Sequence, residues 1–180
     1  MMRQLRRGFT LIEILVAMTI GILLLLMVAP QMSLWMSDSE IRNGAQSVAE
    51  GMRTAQAAAI SHNLNAEFVL TGTGWTARMA DPPNAVLQVA TFLEGSKYAV
   101  FNAVDSTNAP STAPMKVTFN ALGQVIPATT NIAKVDVTKP SVTGTRPLRV
   151  LVGNLMAGAT FNGVKLCDPY FPATDPKGCP

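Results

Sequence analysis

From Phe9 to Ala29 the chain reads FTLIEILVAMTIGILLLLMVA, an almost unbroken apolar run whose only charged residue is Glu13. As a helix rising about 1.5 Å per residue it spans roughly 30 Å, the thickness of a bilayer's hydrocarbon. Arg3, Arg6 and Arg7 precede it, and by the positive-inside rule they hold that end in the cytoplasm, with the remainder of the chain across the membrane. A cleaved secretory signal would have a shorter core, and its nearest small-residue exit, Met27-Val28-Ala29, runs at once into Pro30, a poor residue for cleavage. A plain anchor accounts for the hydropathy but not for Glu13. A carboxylate in lipid typically costs about 2–4 kcal/mol, so it is a functional candidate by default.

Composition agrees with one ordinary domain plus such an appendage. The chain has 180 residues, 48% hydrophobic and 14% charged, with a mean hydropathy of +0.27. That is too apolar for a disordered chain, and it lacks the periodic glycine of a collagen-like one. The formal charge of +3 and pI near 9.1 raise nucleic acid as a partner. Three of the 14 cations, however, lie ahead of Phe9, which leaves 11 against 11 carboxylates beyond it.

Pro30 is expected to bend the helix, because it lacks an N–H and its ring clashes one turn back. Beyond it, Ile41, Ala45, Val48, Met52, Ala55 or Gln56, and Ala59 recur at spacings of three and four, while Glu40, Arg42, Glu50 and Arg53 fall on other faces. The pattern predicts one helix over 9–62, apolar over 9–30 and amphipathic over 31–62. A period of two follows in residues 63–180. Ala66–Thr71 and Trp75–Met79 flank Gly72-Thr73-Gly74 as one hairpin, and Val86–Phe92 and Lys97–Val104 flank Glu94-Gly95-Ser96 as a second. Met115–Asn120, Gln124–Ile126, Ala133–Thr138 and Leu148–Val152 read as further strands. The expected fold is α+β, a long N-terminal helix packed on an antiparallel β-sheet head.

Gly8-Phe9-Thr10-Leu11-Ile12-Glu13 resembles the class III signal of type IV prepilins and type II secretion pseudopilins. The resemblance implies removal of residues 1–8 by a membrane-embedded prepilin peptidase that cuts between Gly8 and Phe9, and N-methylation of Phe9. Gly8, without a side chain, admits close approach to the backbone. Phe9 and Glu13 are four apart, so on a helix they share a face. The resemblance pairs Glu13 of an incoming subunit with the N-terminus of one already assembled, each charge neutralising the other in lipid. Pro30 matches the helix-kinking proline common in these pilins. Arg53–Ile60, Gly74-Trp75 and Val117–Gly123 are similar to the FimT/GspH-type subgroup, through an Arg-Ala-Ile helix end, a Gly-Trp strand start and a Phe-x-x-x-Gly strand-turn.

The two cysteines, Cys167 and Cys179, bound a proline-rich tail, 167–179. An even pair on the far side of the membrane predicts a disulfide, which in the chain-entropy model stabilises by roughly 3 kcal/mol. Asp168 and Asp175 are read as turn formers before Pro169 and Pro176 rather than calcium ligands. This tail resembles those of minor pilins more than those of secretion pseudopilins.

Other chemistry is not supported. A lone His62 makes a Ser-His-Asp triad improbable, and the chain contains no G-x-S-x-G and no P-loop. No catalytic residue, cofactor or metal ligand is expected. DNA-binding members of the subgroup carry Gly-Arg-x-Arg near the C-terminus; the matching positions here read Asn162-Gly163-Val164-Lys165. Lys139, Arg146 and Arg149 form a second modest cluster, so these three and Lys165 are the candidate DNA contacts. The expectation is a minor type IV pilin, single-pass in a bacterial inner membrane with its head in the periplasm, later in a pilus. Its partners would be other pilins and the peptidase. A minor pseudopilin of type II secretion and a DNA-uptake pilin are the alternatives.

Overall fold

The computed structural model describes residues 9–111, 115–128, 131–153, 155, 161 and 163–180. The chain divides after Met36 into two units. Helix α1 (Leu11–His62) runs from the first into the second. It ends where the pattern predicted, and the local chemistry explains why. Asn63 turns left-handed at φ 52°, Leu64 N–H donates to Ala59 O at 3.2 Å, and Asn63 N–H donates to Ile60 O at 3.3 Å. These two bonds satisfy carbonyls that the helix end would otherwise leave open.

Among the described residues of the second unit, eight strands follow α1. They are β1 (Ala66–Thr71), β2 (Gly74–Met79), β3 (Val86–Thr91), β4 (Val100–Val104), β5 (Met115–Phe119), β6 (Lys134–Thr138), β7 (Leu148–Val152) and β8 (Val164–Cys167). They form two four-stranded sheets, ordered β3-β2-β1-β5 and β4-β6-β7-β8, and every ladder is antiparallel.

The core lies between the amphipathic part of α1 and the inward faces of both sheets. Ile41, Ala45, Val48, Met52, Ala55 and Ala59 are all fully buried, which resolves the Ala55-or-Gln56 ambiguity in favour of Ala55. Phe68, Ala77, Val117 and Phe119 from the first sheet join them, with Val135, Val137, Val150 and Val152 from the second. Truncating a buried Phe such as Phe68 or Phe119 to alanine costs about 3–5 kcal/mol. Glycine at position 51 of the helix lets aromatic rings approach it closely. A Cβ at Gly51 would lie 2.6 Å from the Trp75 ring and 2.7 Å from that of Phe68. Trp75 also donates its indole N–H to Ser47 Oγ on the helix at 2.9 Å.

The β1–β2 hairpin forms as expected, with Thr71 opposite Gly74. Gly74 belongs to the strand rather than the loop. Its Cβ would meet Ala90 O at 2.1 Å, so only glycine lets β3 pair here.

The second expected hairpin does not form. Val86–Thr91 pairs with β2 in the first sheet, whereas Val100–Val104 pairs with β6 in the second. The turn at Gly95, φ 86°, carries the chain between sheets rather than back along one. Phe92 and Phe101, 3.9 Å apart as stacked rings, hold the two ends of the crossing together. Gln124–Ile126 makes only an isolated bridge at Val125. Strand β8, four residues long and mostly half-buried, has no counterpart among the expected strands.

The tail is closed by the Cys167–Cys179 disulfide. Asp168 and Asp175 are turn formers, as read from the sequence. Asp168 Oδ1 accepts the Tyr170 N–H at 2.9 Å, and Asp175 Oδ1 accepts the Lys177 N–H at 2.8 Å.

Candidate functional site

The N-terminal unit begins with a cap. Thr10 Oγ1 accepts the Glu13 N–H at 3.3 Å, while the Thr10 carbonyl accepts Glu13 N–H at 3.1 Å and Ile14 N–H at 3.3 Å. Thr10-Leu11-Ile12-Glu13 is thus the S/T-x-x-E pattern of a helix start, with Thr10 at the N-cap and Glu13 at the third helical position. That signal was present in the sequence. It places the Glu13 carboxylate in the first turn, where the helix dipole favours negative charge.

Phe9 precedes the helix and is 79% exposed. The expectation that Phe9 and Glu13 share a helical face is therefore modified, since the helix starts two residues later, at Leu11. The two residues nevertheless border one shallow depression, together with Ile14, Ala17 and Met18. While Phe9 remains joined to Gly8 its nitrogen is an uncharged amide. Gly8 and the rest of 1–8 lie outside the described residues.

From Leu11 to Met27 the large apolar side chains are exposed, from 48% at Val16 to 82% at Leu11. A helix apolar on every face belongs in lipid or in a core, and these side chains are packed in no core. The polar group of Thr19 is satisfied internally, its hydroxyl donating to Val16 O at 2.8 Å, as a lipid environment requires. The helix continues through Pro30, whose missing N–H removes the ladder bond to Leu26.

Of the four candidate DNA contacts of the head, Lys139 and Arg149 pair with carboxylates. Lys139 Nζ lies 2.7 Å from Glu40 Oε2, and the Arg149 guanidinium binds both oxygens of Asp136, its cross-strand neighbour. The Arg146 backbone N–H donates to Asp38 Oδ1 at 3.0 Å. Lys165 lies half-buried on β8, and Asn162 lies outside the described residues. The structure thus sets Lys139 against Glu40 and Arg149 against Asp136. Asp136 could have been found from the strand register, whereas Glu40 is distant in sequence.

Residues 3–29 match the prokaryotic N-terminal methylation motif, the signature of type IV pilins and pseudopilins. No curated protein and no solved structure matches the chain. The motif supports a type IV pilin-like or pseudopilin protein, and with the apolar helix it points to membrane anchoring.

Proposed function

We propose that this chain is a minor type IV pilin, a structural subunit with no catalytic role of its own. A prepilin peptidase cuts between Gly8 and Phe9 and methylates the new amine. Residues 9–30 hold the subunit in the inner membrane, with 63–180 in the periplasm, until it enters or primes a pilus. The observation that carries this reading is the methylation motif at 3–29 leading into a helix with Glu13 in its first turn. In lipid an isolated carboxylate is costly, and the amine released at Phe9 is the nearest chemistry that neutralises it. Pro30 bends the helix between its apolar and amphipathic parts.

The disulfide-bounded tail favours a pilus over a secretion pseudopilus, on its resemblance to minor-pilin tails. The carboxylates beside Lys139 and Arg149 favour assembly over DNA uptake, because an ion-paired cation releases fewer counterions from DNA. The test is the intact mass of the protein recovered from membranes. Loss of residues 1–8 plus one methyl group is expected, with Gly8→Leu left uncut. Normal processing of Gly8→Leu would reject the assignment. Neighbouring pilus rather than secretion genes would separate the two filament types.

A further inference from the structure

Three cations from separate elements line one cleft of the head: Arg42 on α1, Arg146 just before β7, and Lys177 in the disulfide-bounded loop. The cleft holds about 420 Å³. Among the described residues none of these three side chains makes an ion pair, whereas Arg78, Lys116, Lys139 and Arg149 all do. Two acids share the lining, but each already has an oxygen engaged. Asp38 Oδ1 accepts the Arg146 N–H at 3.0 Å, and Asp168 Oδ1 accepts the Tyr170 N–H at 2.9 Å. Leu148, Leu166, Phe171 and Pro176 supply apolar lining.

We propose that this cleft binds a single carboxylate carried on a short apolar stem. Three cations against two carboxylates leave one positive charge, which suits a monoanion. Arginine matches a carboxylate in a bidentate, charge-assisted way, and two arginines are present. The apolar lining takes the stem, as small-ligand sites combine an apolar surface with a few polar groups that orient the ligand. With a net charge of only one, the cleft matches a monoanion better than a polyanion such as a nucleic-acid backbone. The carboxylate is either that of a free organic acid or the terminal carboxyl of a peptide, and the two differ only in what the stem continues into.

The test uses the full-length chain in lipid nanodiscs, with empty nanodiscs as the blank, and ligand-observed NMR of benzoate and of N-acetylphenylalanine. Saturable binding of at least one is expected, with benzyl alcohol and sulfate far weaker. Tighter binding of N-acetylphenylalanine identifies a peptide carboxyl, and tighter binding of benzoate a free acid; either supports the site. Arg42→Gln and Arg146→Gln together weaken binding at least tenfold, and Lys177→Gln weakens it less. Both variants are checked for folding by the near-ultraviolet signal of buried Trp75. Unchanged affinity in the folded double variant would overturn the proposal. So would equal binding of benzyl alcohol or sulfate, or displacement of benzoate by a DNA duplex at lower concentration.

Discussion

Lys139 reaches from the end of β6 to Glu40 on α1, and its Nζ lies 2.7 Å from Oε2 with the side chains only 12% and 25% exposed. The ammonium also sits 5.5 Å from the Tyr98 ring centroid, so it is held by a carboxylate and a π-face together. One ion pair thereby ties the second sheet to the helix across 99 residues of sequence. Lys139→Met leaves Glu40 without its cation in a partly buried place. It should cost about 1–3 kcal/mol, and the Lys139→Met/Glu40→Leu double variant should recover part of that loss. Denaturant unfolding of the two variants reads the difference. A single variant as stable as the parent would show the pair to be only a surface contact.

Gly51→Ala sets helix propensity against packing. Propensity favours alanine by roughly 1 kcal/mol, but the new methyl would lie 2.6 Å from the Trp75 ring. Overpacking of this kind costs about 1–3 kcal/mol, so the variant should be net destabilised and its Trp75 fluorescence altered. A rise in thermal midpoint would mean that the rings yield more easily than their burial implies.

Thr10→Ala removes the side-chain acceptor for the Glu13 N–H. Loss of an N-cap costs about 1 kcal/mol, felt in the first turn. Amide exchange at Glu13 should accelerate in Thr10→Ala and stay near the parent in Thr10→Ser. Equal protection in both variants would leave the cap with no measurable role.

Glu13→Val separates the cap from assembly, because the Thr10 bond uses the Glu13 backbone and not its carboxylate. Processing at Phe9 should persist, while incorporation into filaments should fall by about tenfold or more, the expected scale for an unneutralised amine in lipid. Quantifying the variant in sheared filaments beside the parent decides it, and equal amounts would remove the charge-pairing argument.

Asp105 is held below the ordinary carboxylate range, first by the Thr107 hydroxyl at 2.7 Å and then by the N–H groups of Thr107 and Ala109. Because the folded value is the lower one, this carboxylate contributes stability that is complete above its unfolded value. That contribution is lost as pH falls through the folded value. Thr107→Val should therefore move the Asp105 titration midpoint upward, read by carbon-detected NMR. An unmoved midpoint would assign the depression to the backbone donors alone.

The N-terminal helix of this protein could be read from the chain because each signal there is local. An apolar run of bilayer length, a carboxylate inside it and a 3–4 spacing from Ile41 to Ala59 each act within a few turns of one helix. The same holds for the β1–β2 hairpin, whose strands are joined by a short loop, and for the Asp-Pro turns of the tail. Even so, the Thr10 cap was missed there, although its pattern is equally local.

Only the tertiary structure decided how the strands divide between sheets. Val86–Phe92 and Lys97–Val104 look like partners across Glu94-Gly95-Ser96, and their alternation is the same whether they pair with each other or with β2 and β6. Burial broke that tie, because Phe92 and Phe101 stack at the crossing while each strand finds a different neighbour. The charges of the head follow the same rule. Which cations meet Glu40 or Asp136, and which line a cleft without an ion pair, depends on contacts between elements far apart in the chain. Charge alone cannot encode that choice, since Coulomb attraction selects partners by distance in space and not by order in sequence.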